Sequence, residues 1–267
     1  GIIMEIDINL GKLPQKEKGS LELIECKTIE EKRRHGLERL ASGFRTFSHF
    51  GFDEGVAGHI TFRDPEFEHH FWVNPFGMHF GQICVSDLVL VDRNGEVVLG
   101  DRPVNTAAFA IHSRLHEARP DVNAAAHSHS MYGKSFSSMG RKLEPITQDS
   151  CAFFEDHVLF DDFTGVVLET DEGDRIANAL GDKRAAILKN HGLLTTGETV
   201  DAAVWGFLSM DRCCQSQMIA ESVGQMERIP DETAAMTKEQ VGSELGMWVM
   251  YQPIYDLMLE KDDSFLN

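Results

Sequence analysis

The 267-residue sequence predicts an α/β fold, in which helices cover both faces of a central sheet in a three-layer α/β/α sandwich. Two observations support this prediction. Strand-like and helical patterns alternate along the chain, and no linker, repeat or low-complexity stretch divides it. Hydrophobic residues make up 42% of the chain, which is enough for a substantial core. Residues 1–27 lack periodicity and are predicted to form an N-terminal arm, and residues 28–267 are predicted to form one domain.

The domain is predicted to begin with a helix and to continue with short strands. Thr28 followed by Glu31 forms a capping box ahead of the helical pattern TIEEKRRHGLERLASGFRTFSHFGF. Strands are predicted at HITFR, at HHFWVNP and in DLVLVDRNGEVVLG, where an Asn-Gly pair indicates a hairpin turn. A helix is predicted over residues 105–118, because an Arg-Pro pair follows it.

The second half repeats the alternation of strand and helix. The strand VNAAAHSH leads into a helix over residues 132–139, and residues 143–168 are predicted to contain short strands. The amphipathic helix DEGDRIANAL, the buried strand AAILKN and the long helix TVDAAVWGFLSMDRCCQSQMIAES follow. From about Thr237 to the end, the pattern is helical again.

Charge and composition exclude several classes of partner. The chain has 25 Lys and Arg against 43 Asp and Glu, a net charge of -18, so nucleic acid is not an expected partner. No apolar run approaches the roughly 20 residues that span a bilayer, and no secretory leader is recognised, so we expect no membrane partner. The five scattered cysteines are expected to be reduced packing residues, and the protein is expected to be cytoplasmic.

Three histidines predict a metal site. His127 and His129 lie two residues apart at the end of an apolar run, where both side chains project from the same face of a strand. His191 ends a second apolar run and precedes Gly192, which we expect to allow a sharp turn. If the two strand ends meet, three imidazoles converge and leave an open position for substrate. The alternative is a polar strand end and an ordinary turn residue.

Other histidine pairs are weaker candidates for metal binding. His112 and His116 are four residues apart on a helix, a spacing that can chelate metal. His112 lies on the apolar side of that helix, so packing with a hydrogen bond is favoured. His69 and His70 are adjacent on a strand and face opposite sides, and no role is assigned to them.

Four blocks of the sequence resemble the class II aldolase and adducin head-domain family. The blocks are AGHITFR, FWVNPFG, NTAAFAIHSRLHEARPDVNAAAHSHS and LKNHGLLTTGETVDAAVW. The resemblance implies a mostly antiparallel sheet of about nine strands between helices. It also implies a homotetramer with active sites at subunit interfaces. It further implies that His127, His129 and His191 bind a divalent metal, with zinc expected first and iron or manganese as alternatives.

The sequence departs from the sugar-phosphate aldolases of this family. Their acid/base glutamate aligns with Ala108, which can neither transfer a proton nor bind metal. Their phosphate-binding site, built from hydroxyls and backbone donors, is largely replaced here by Phe, Ala and His. We therefore predict a small, non-phosphorylated substrate. The residues predicted to contact it are Gly58, Phe76, Gly77, Thr106 and Gln148.

A reaction at this site needs another proton carrier. His59 is the first candidate, because family members contact substrate at this position and imidazole titrates near neutral pH. Tyr132, just past the His-Ser-His pair, and Asp149 and Glu155, in the segment that follows, are further candidates. The alternative for Glu155 is an ordinary solvated corner.

Aromatic residues near the aligned site predict the character of the cleft. Trp72, Phe76, Phe153 and Phe154 stand where the family places the wall of the site, and such a wall suits an aromatic or apolar substrate. The alternative is core packing.

Three functions remain open from the sequence. The first is a metal-dependent lyase that cleaves or decarboxylates a small, non-phosphorylated oxo- or hydroxy-acid. The second is a non-haem iron oxygenase that shortens an aryl keto- or hydroxy-acid and consumes dioxygen. The third is a non-catalytic, adducin-like interaction module, which predicts no tightly bound metal.

Overall fold

A computed structural model describes residues 11–267, and the first ten residues of the predicted arm lie outside this part of the chain. Within it, strands and helices alternate as the sequence predicts. The strands are β1 (His59–Arg63), β2 (Phe71–Val73), β3 (Val89–Val91), β4 (Val97–Leu99), β5 (Ala124–Ser128), β6 (His157–Phe160), β7 (Ala185–Leu188) and β8 (Gly192–Gly197). The α-helices are α1 (Ile29–His49), α2 (Thr106–Ala118), α3 (Met131–Ser137), α4 (Thr170–Leu180), α5 (Val200–Val223), α6 (Asp231–Val241) and α7 (Glu244–Lys261).

The strands of residues 11–267 form one mostly antiparallel sheet. Its order is β4-β3-β2-β1-β5-β8-β7-β6, and every neighbouring pair is antiparallel except the parallel pair β6 and β7. The predicted antiparallel sheet is confirmed, with eight strands in the described chain where about nine were expected.

Side chains of the central strands alternate between two apolar layers, because successive residues of a strand face opposite sides. In β5, Ala124 and Ala126 pack in the larger core with residues of α1, α5 and α7. Ala125 packs in a second core with residues of α2 and α4. Helices therefore cover both faces, and the three-layer fold is confirmed.

Strand β1 is held at its far end by a buried ion pair. The Asp64 carboxylate accepts hydrogen bonds from Arg33 Nε at 2.8 Å and Nη2 at 3.0 Å, and from Trp72 Nε1 at 2.9 Å. Arg33 also donates to Glu66 at 2.7 Å. This cluster ties α1 and β2 to the strand whose other end carries His59.

Two elements differ from the sequence prediction. The segment after His191 forms the central strand β8, which the sequence did not indicate, because glycine, which is depleted in strands, stands at both ends of GLLTTG. The helical C-terminus is two helices, α6 and α7, which are separated near Gly242. A Cβ on Gly242 would lie 2.8 Å from the backbone oxygen of Ala152, so the chain passes another segment closely there.

The described part of the N-terminal arm lies against α7. Residues 11–27 contain no helix or strand. Lys16 Nζ lies 2.7 Å from Asp256 Oδ1, and the backbone N–H of Gly19 donates to Asp256 Oδ2 at 2.9 Å. The five cysteines are free, and no helix between residues 11 and 267 is long and apolar enough to cross a membrane.

Candidate metal centre and cavity

The sheet brings the three predicted histidines together. His127 is in β5, His129 follows that strand, and His191 lies in the turn just before β8. Because β5 and β8 are antiparallel neighbours, with Ser128 opposite Leu193, the end of one strand lies beside the start of the other. The candidate ligand nitrogens of the three histidines all lie within 4.8 Å of one another.

Hydrogen bonding leaves one nitrogen of His127 free to bind a cation. Its Nδ1 donates to the backbone oxygen of Leu193 at 2.7 Å, so Nε2 carries the lone pair. That Nε2 lies 3.1 Å from Nε2 of His191. Two nitrogens bound to one ion at about 2.0–2.1 Å lie roughly 2.9–3.4 Å apart, so the observed separation fits a shared ion.

Burial keeps these imidazoles neutral, as a metal ligand must be. His127 is only 2% exposed, and its pKa lies well below the ordinary value, first through burial and then through His191, His59 and His129. Burial, followed by His129, lowers the pKa of His191 to about 4. Burial and then Lys134 lower the pKa of His129. All three donors fit a divalent cation.

The turn that presents His191 differs in detail from the prediction. The residue with a left-handed backbone is Asn190, with φ of 61°, and its N–H donates to Ser137 O at 3.2 Å. Gly192 does not have a positive φ. A Cβ there would lie 2.9 Å from the backbone oxygen of Ser128, so Gly192 is needed for close approach of β8 to β5.

We expect Gly192→Ala to destabilise the fold by about 1–3 kcal/mol, because the added methyl group overpacks the contact with Ser128. Metal affinity should fall as well, since the strands that carry His127 and His191 must separate. Chemical denaturation and metal titration would measure the two effects. Gly206→Ala, where the nearest atom to the new Cβ is 3.9 Å away, is the control and should be neutral or stabilising. Equal changes in stability and in metal affinity for the two variants would contradict this prediction.

A cavity of about 830 Å³ lies beside the three histidines. Among the described residues that line it, Lys134 is the one Lys or Arg, and none is Asp or Glu. Most of the other side chains are apolar. The apolar lining includes Val56, Phe76, Val104, Ile111, Phe163, Val166, Val167 and Leu168.

Four of the other predicted residues also line this cavity: Gly58, His59, Phe76 and Thr106. Gly58 has φ of 98°, and a Cβ there would lie 3.0 Å from the backbone oxygen of His127, so glycine is required. His59 faces His127 in the β1–β5 ladder, with ring centroids 5.1 Å apart. Thr106 is the first residue of α2.

Five predicted residues are not among the lining residues. Gly77 is exposed in the loop after Phe76, and Tyr132 is exposed on α3. Gln148 and Asp149 are exposed at the start of a short 3-10 helix, and Glu155 is exposed in the turn after it. These five residues therefore do not line the cavity of a single chain.

The predicted aromatic wall is mostly core. Trp72 and Phe153 are fully buried, and Phe154 is half-buried beneath the Arg228 guanidinium, so only Phe76 of the four lines the cavity. The sequence analysis missed Phe163, whose ring lies 6.4 Å from that of His191. The sequence feature that could have identified this segment is the apolar run GVVL, which begins two residues after Phe163. The run lies between acidic residues and is unusual for an exposed loop.

Ala108 stands at the position that aligns with the acid/base glutamate of the family's sugar-phosphate aldolases. Ala108 is buried in a small cluster with Phe71, Val73, Val89 and Val91, and it does not line the cavity. No carboxylate replaces that glutamate among the described lining residues, so the titratable side chains that line the cavity are those of Lys134 and the histidines.

Comparison with known proteins agrees with this fold. Residues 38–218 match the family described as Class II Aldolase and Adducin N-terminal domain. The chain is 49% identical to "Decarboxylase NovR" of Streptomyces niveus, with 88% of each chain covered. It is 48% identical to "4-hydroxy-3-prenylphenylpyruvate oxygenase/4-hydroxy-3-prenylbenzoate synthase" of Streptomyces roseochromogenus subsp. oscitans, covering 88% of this chain and 86% of the relative.

A solved structure is similar over nearly the whole chain. It is titled "L-fuculose 1-phosphate aldolase from Glaciozyma antarctica PI12", with a TM-score of 0.85 and 44% identity. The alignment covers 90% of this chain and 95% of that one. On the family match and these relatives, the chain belongs to the class II aldolase and adducin family.

Proposed function

We propose that the protein is a metal-dependent lyase that cleaves or decarboxylates a small, non-phosphorylated oxo- or hydroxy-acid with an aromatic or apolar body. The observation that carries this proposal is the position of three clustered imidazoles beside a large, mostly apolar cavity. The names of the two Streptomyces relatives support it, because one is called a decarboxylase and the name of the other contains a phenylpyruvate and a benzoate, which are aromatic acids.

His127, His129 and His191 would hold the ion, with zinc as the first expectation and iron or manganese as alternatives. When bound, a divalent ion supplies polarisation of a substrate carbonyl and stabilisation of an enolate. The side chains around it orient the substrate and exclude water. His59, which lines the same cavity, is the proposed proton carrier: it takes a proton from a substrate hydroxyl, or from water where the substrate has none, and delivers it to the carbon left by the broken carbon–carbon bond.

The substrate carboxylate would pair with Lys134. Lys134 lines the cavity, and its Nζ lies 3.7 Å from Glu54 Oε1, an exposed partner that a substrate can replace. Phe76 and Phe163 are 43% and 49% exposed and offer apolar surface to the rest of the substrate. Apolar side chains occupy most of the remaining wall, which favours a carboxylate on a hydrophobic body over a sugar phosphate.

We expect Lys134→Met to raise KM for an acidic substrate by roughly 3- to 10-fold and to change kcat less. The lost charge-assisted hydrogen bond is worth about 1 kcal/mol at a half-exposed site. Steady-state kinetics would measure both constants. Lys134→Arg keeps the positive charge and is the control. An unchanged KM in Lys134→Met would show that the carboxylate binds elsewhere.

A homotetramer with sites at subunit interfaces is part of the same proposal. The mouth of the cavity exposes Val56, Phe76, Phe163 and Val166, an apolar rim that a second copy can cover. Residues outside the cavity of one chain, such as Gln148 and Asp149, would then be available to a neighbouring site. Light scattering on the purified protein would measure the number of copies.

The second candidate function is the non-haem iron oxygenase. The loss of the aldolase glutamate favours it, because that residue is needed by an aldolase and not by an enzyme that binds dioxygen beside the substrate; the three-histidine set differs from the common iron set, which includes one carboxylate. The relative whose name includes "oxygenase" is 48% identical to this chain. Iron would then be the resident metal, and dioxygen would be a second substrate.

One experiment separates these functions. Metal-stripped protein is reconstituted with Zn²⁺, Mn²⁺ or, without air, Fe²⁺, and each form is given 4-hydroxyphenylpyruvate or 4-hydroxymandelate. Carbon dioxide release without dioxygen, lost on adding a chelator, supports the lyase. Dioxygen consumption by the iron form alone supports the oxygenase. A chain that retains none of the three metals and turns over neither acid would contradict both enzymes and leave the adducin-like module.

A further inference from the structure

A row of buried hydrogen bonds leads from the cavity into the sheet. His59 Nδ1 lies 2.7 Å from His112 Nε2, and His112 Nδ1 lies 2.6 Å from Thr61 Oγ1. Thr61 Oγ1 lies 2.8 Å from His116 Nε2, and His116 Nδ1 lies 3.2 Å from the backbone oxygen of Val122. We call His59, Thr61, His112 and His116 the histidine network.

The network is held by two neighbouring elements. His59 and Thr61 are on the same face of β1, two residues apart, and His112 and His116 are on one face of α2, four residues apart. All four residues are buried, and within residues 11–267 no Asp or Glu hydrogen-bonds to the three rings. Neutral imidazoles are therefore expected, each with one donor and one acceptor nitrogen.

The backbone oxygen of Val122, at the end of the network away from His59, determines which atom donates in every hydrogen bond of the row. The oxygen of Val122 can only accept, so His116 Nδ1 donates and its Nε2 accepts from the Thr61 hydroxyl. The single hydroxyl proton is then used, so Thr61 Oγ1 must accept from His112 Nδ1. This makes His112 Nε2 an acceptor.

The last link sets the tautomer of His59. Because His112 Nε2 accepts, His59 Nδ1 must carry the proton and donate. The other nitrogen of His59, Nε2, is then left without a proton, and His59 is a residue that lines the cavity. His127 has the same tautomer, which is set by its own bond to Leu193.

We propose that Thr61, His112 and His116 are positioning residues that hold His59 in the Nδ1–H tautomer, so that its Nε2 presents only a lone pair to the cavity. That lone pair accepts a hydrogen bond from a donor group of the ligand, such as a hydroxyl. The inference does not depend on which reaction the site performs. It assigns a role to buried histidines outside the metal triad.

Long-range proton–nitrogen NMR spectra of the full chain labelled with ¹⁵N-histidine test this inference, without metal and with Zn²⁺. We expect protonated Nδ1 and unprotonated Nε2 for His59, His112 and His116. Thr61→Val removes the hydroxyl at nearly constant shape, so His112 should lose its fixed tautomer and His59 should shift toward Nε2–H. Thr61→Ser keeps the hydroxyl and should restore the pattern of the natural protein.

Two results would overturn the inference. The first is a protonated Nε2 on His59 in the unmodified protein, which this spectrum decides even if Thr61→Val does not fold. The second is an unchanged His59 spectrum in a folded Thr61→Val variant. His116→Phe is a further variant, because Phe can keep the stacked contact of His116 with Phe71, at 5.6 Å between centroids, and cannot hydrogen-bond. It should release the tautomers in the same way.

Discussion

His127→Ala and His191→Ala should each remove tightly bound metal and abolish turnover. Each variant loses one of three imidazoles whose ligand nitrogens lie within 4.8 Å of one another, and no described carboxylate lines the cavity to replace it. Loss of an outer partner of a metal ligand costs roughly 10–100-fold in affinity or activity, so loss of a ligand itself should cost more. Metal content by mass spectrometry, beside kcat/KM, measures both effects.

The control for these variants is His69→Ala. His69 is an exposed histidine that lies outside the cavity, so the variant should keep both metal and activity. Thermal unfolding adds a second readout, because a metal that binds only the folded state raises Tm. We expect added metal to raise Tm of the natural protein and of His69→Ala, but not of His127→Ala. Equal metal content in all three proteins would refute the site.

The metal triad could be predicted because its geometry depends on local rules. The spacing of His127 and His129 follows from the two-residue period of a strand, and it does not depend on the rest of the fold. The position of His191 beside them depends on pairing between β5 and β8, which are far apart in sequence. The sequence pattern did not indicate strand β8, so only the family resemblance predicted that His191 lies beside His127 and His129.

The cavity wall could not be predicted in the same way. Trp72 and Phe163 are both large aromatic residues, but the first is buried against Asp64 and the second lines the cavity. Their difference is set by which segments pack above the sheet, and the sequence pattern around each does not show it. Gln148, which is predicted to contact substrate, is exposed and does not line the cavity of one chain.

The histidine network could be predicted from the sequence only in part. The spacing of His112 and His116 predicts one helical face and packing with a hydrogen bond, and the structure shows both histidines hydrogen-bonded to Thr61. Their partners, Thr61 and His59, are on a strand some fifty residues earlier. The direction of the hydrogen bonds follows only after the backbone oxygen of Val122 is placed at the end of the row.

The largest stability effect is expected at the other end of β1. Asp64 is 1% exposed and accepts two hydrogen bonds from Arg33, which is itself buried, and a third from Trp72. Asp64→Asn removes the charge and leaves the guanidinium of Arg33 without its main partner. Breaking a buried pair in this way costs about 3–5 kcal/mol, and we expect the lower end because the amide retains one acceptor oxygen. Urea denaturation would measure the loss.

Glu66→Gln is a matched control, because Glu66 binds the same arginine at 2.7 Å but its side chain is 44% exposed. Its loss should cost less than about 1 kcal/mol, as is usual for exposed ion pairs. Equal costs for the two variants would show that burial does not decide the contribution of this cluster.

The acid stability of the protein gives an independent test of the same cluster. Burial alone would raise the pKa of Asp64, but hydrogen bonds from Arg33, Trp72 and the backbone of Phe67 outweigh it, so the pKa lies below the ordinary value. A carboxyl group whose pKa is lower in the folded protein than in the unfolded chain stabilises the fold. This stabilisation is complete above the pKa of the unfolded chain, which is about 3.9 for Asp. That contribution is lost as pH falls through the folded pKa, so the natural protein should lose more stability below this pH than Asp64→Asn does. Parallel losses in both proteins would place the acid sensitivity in other carboxylates.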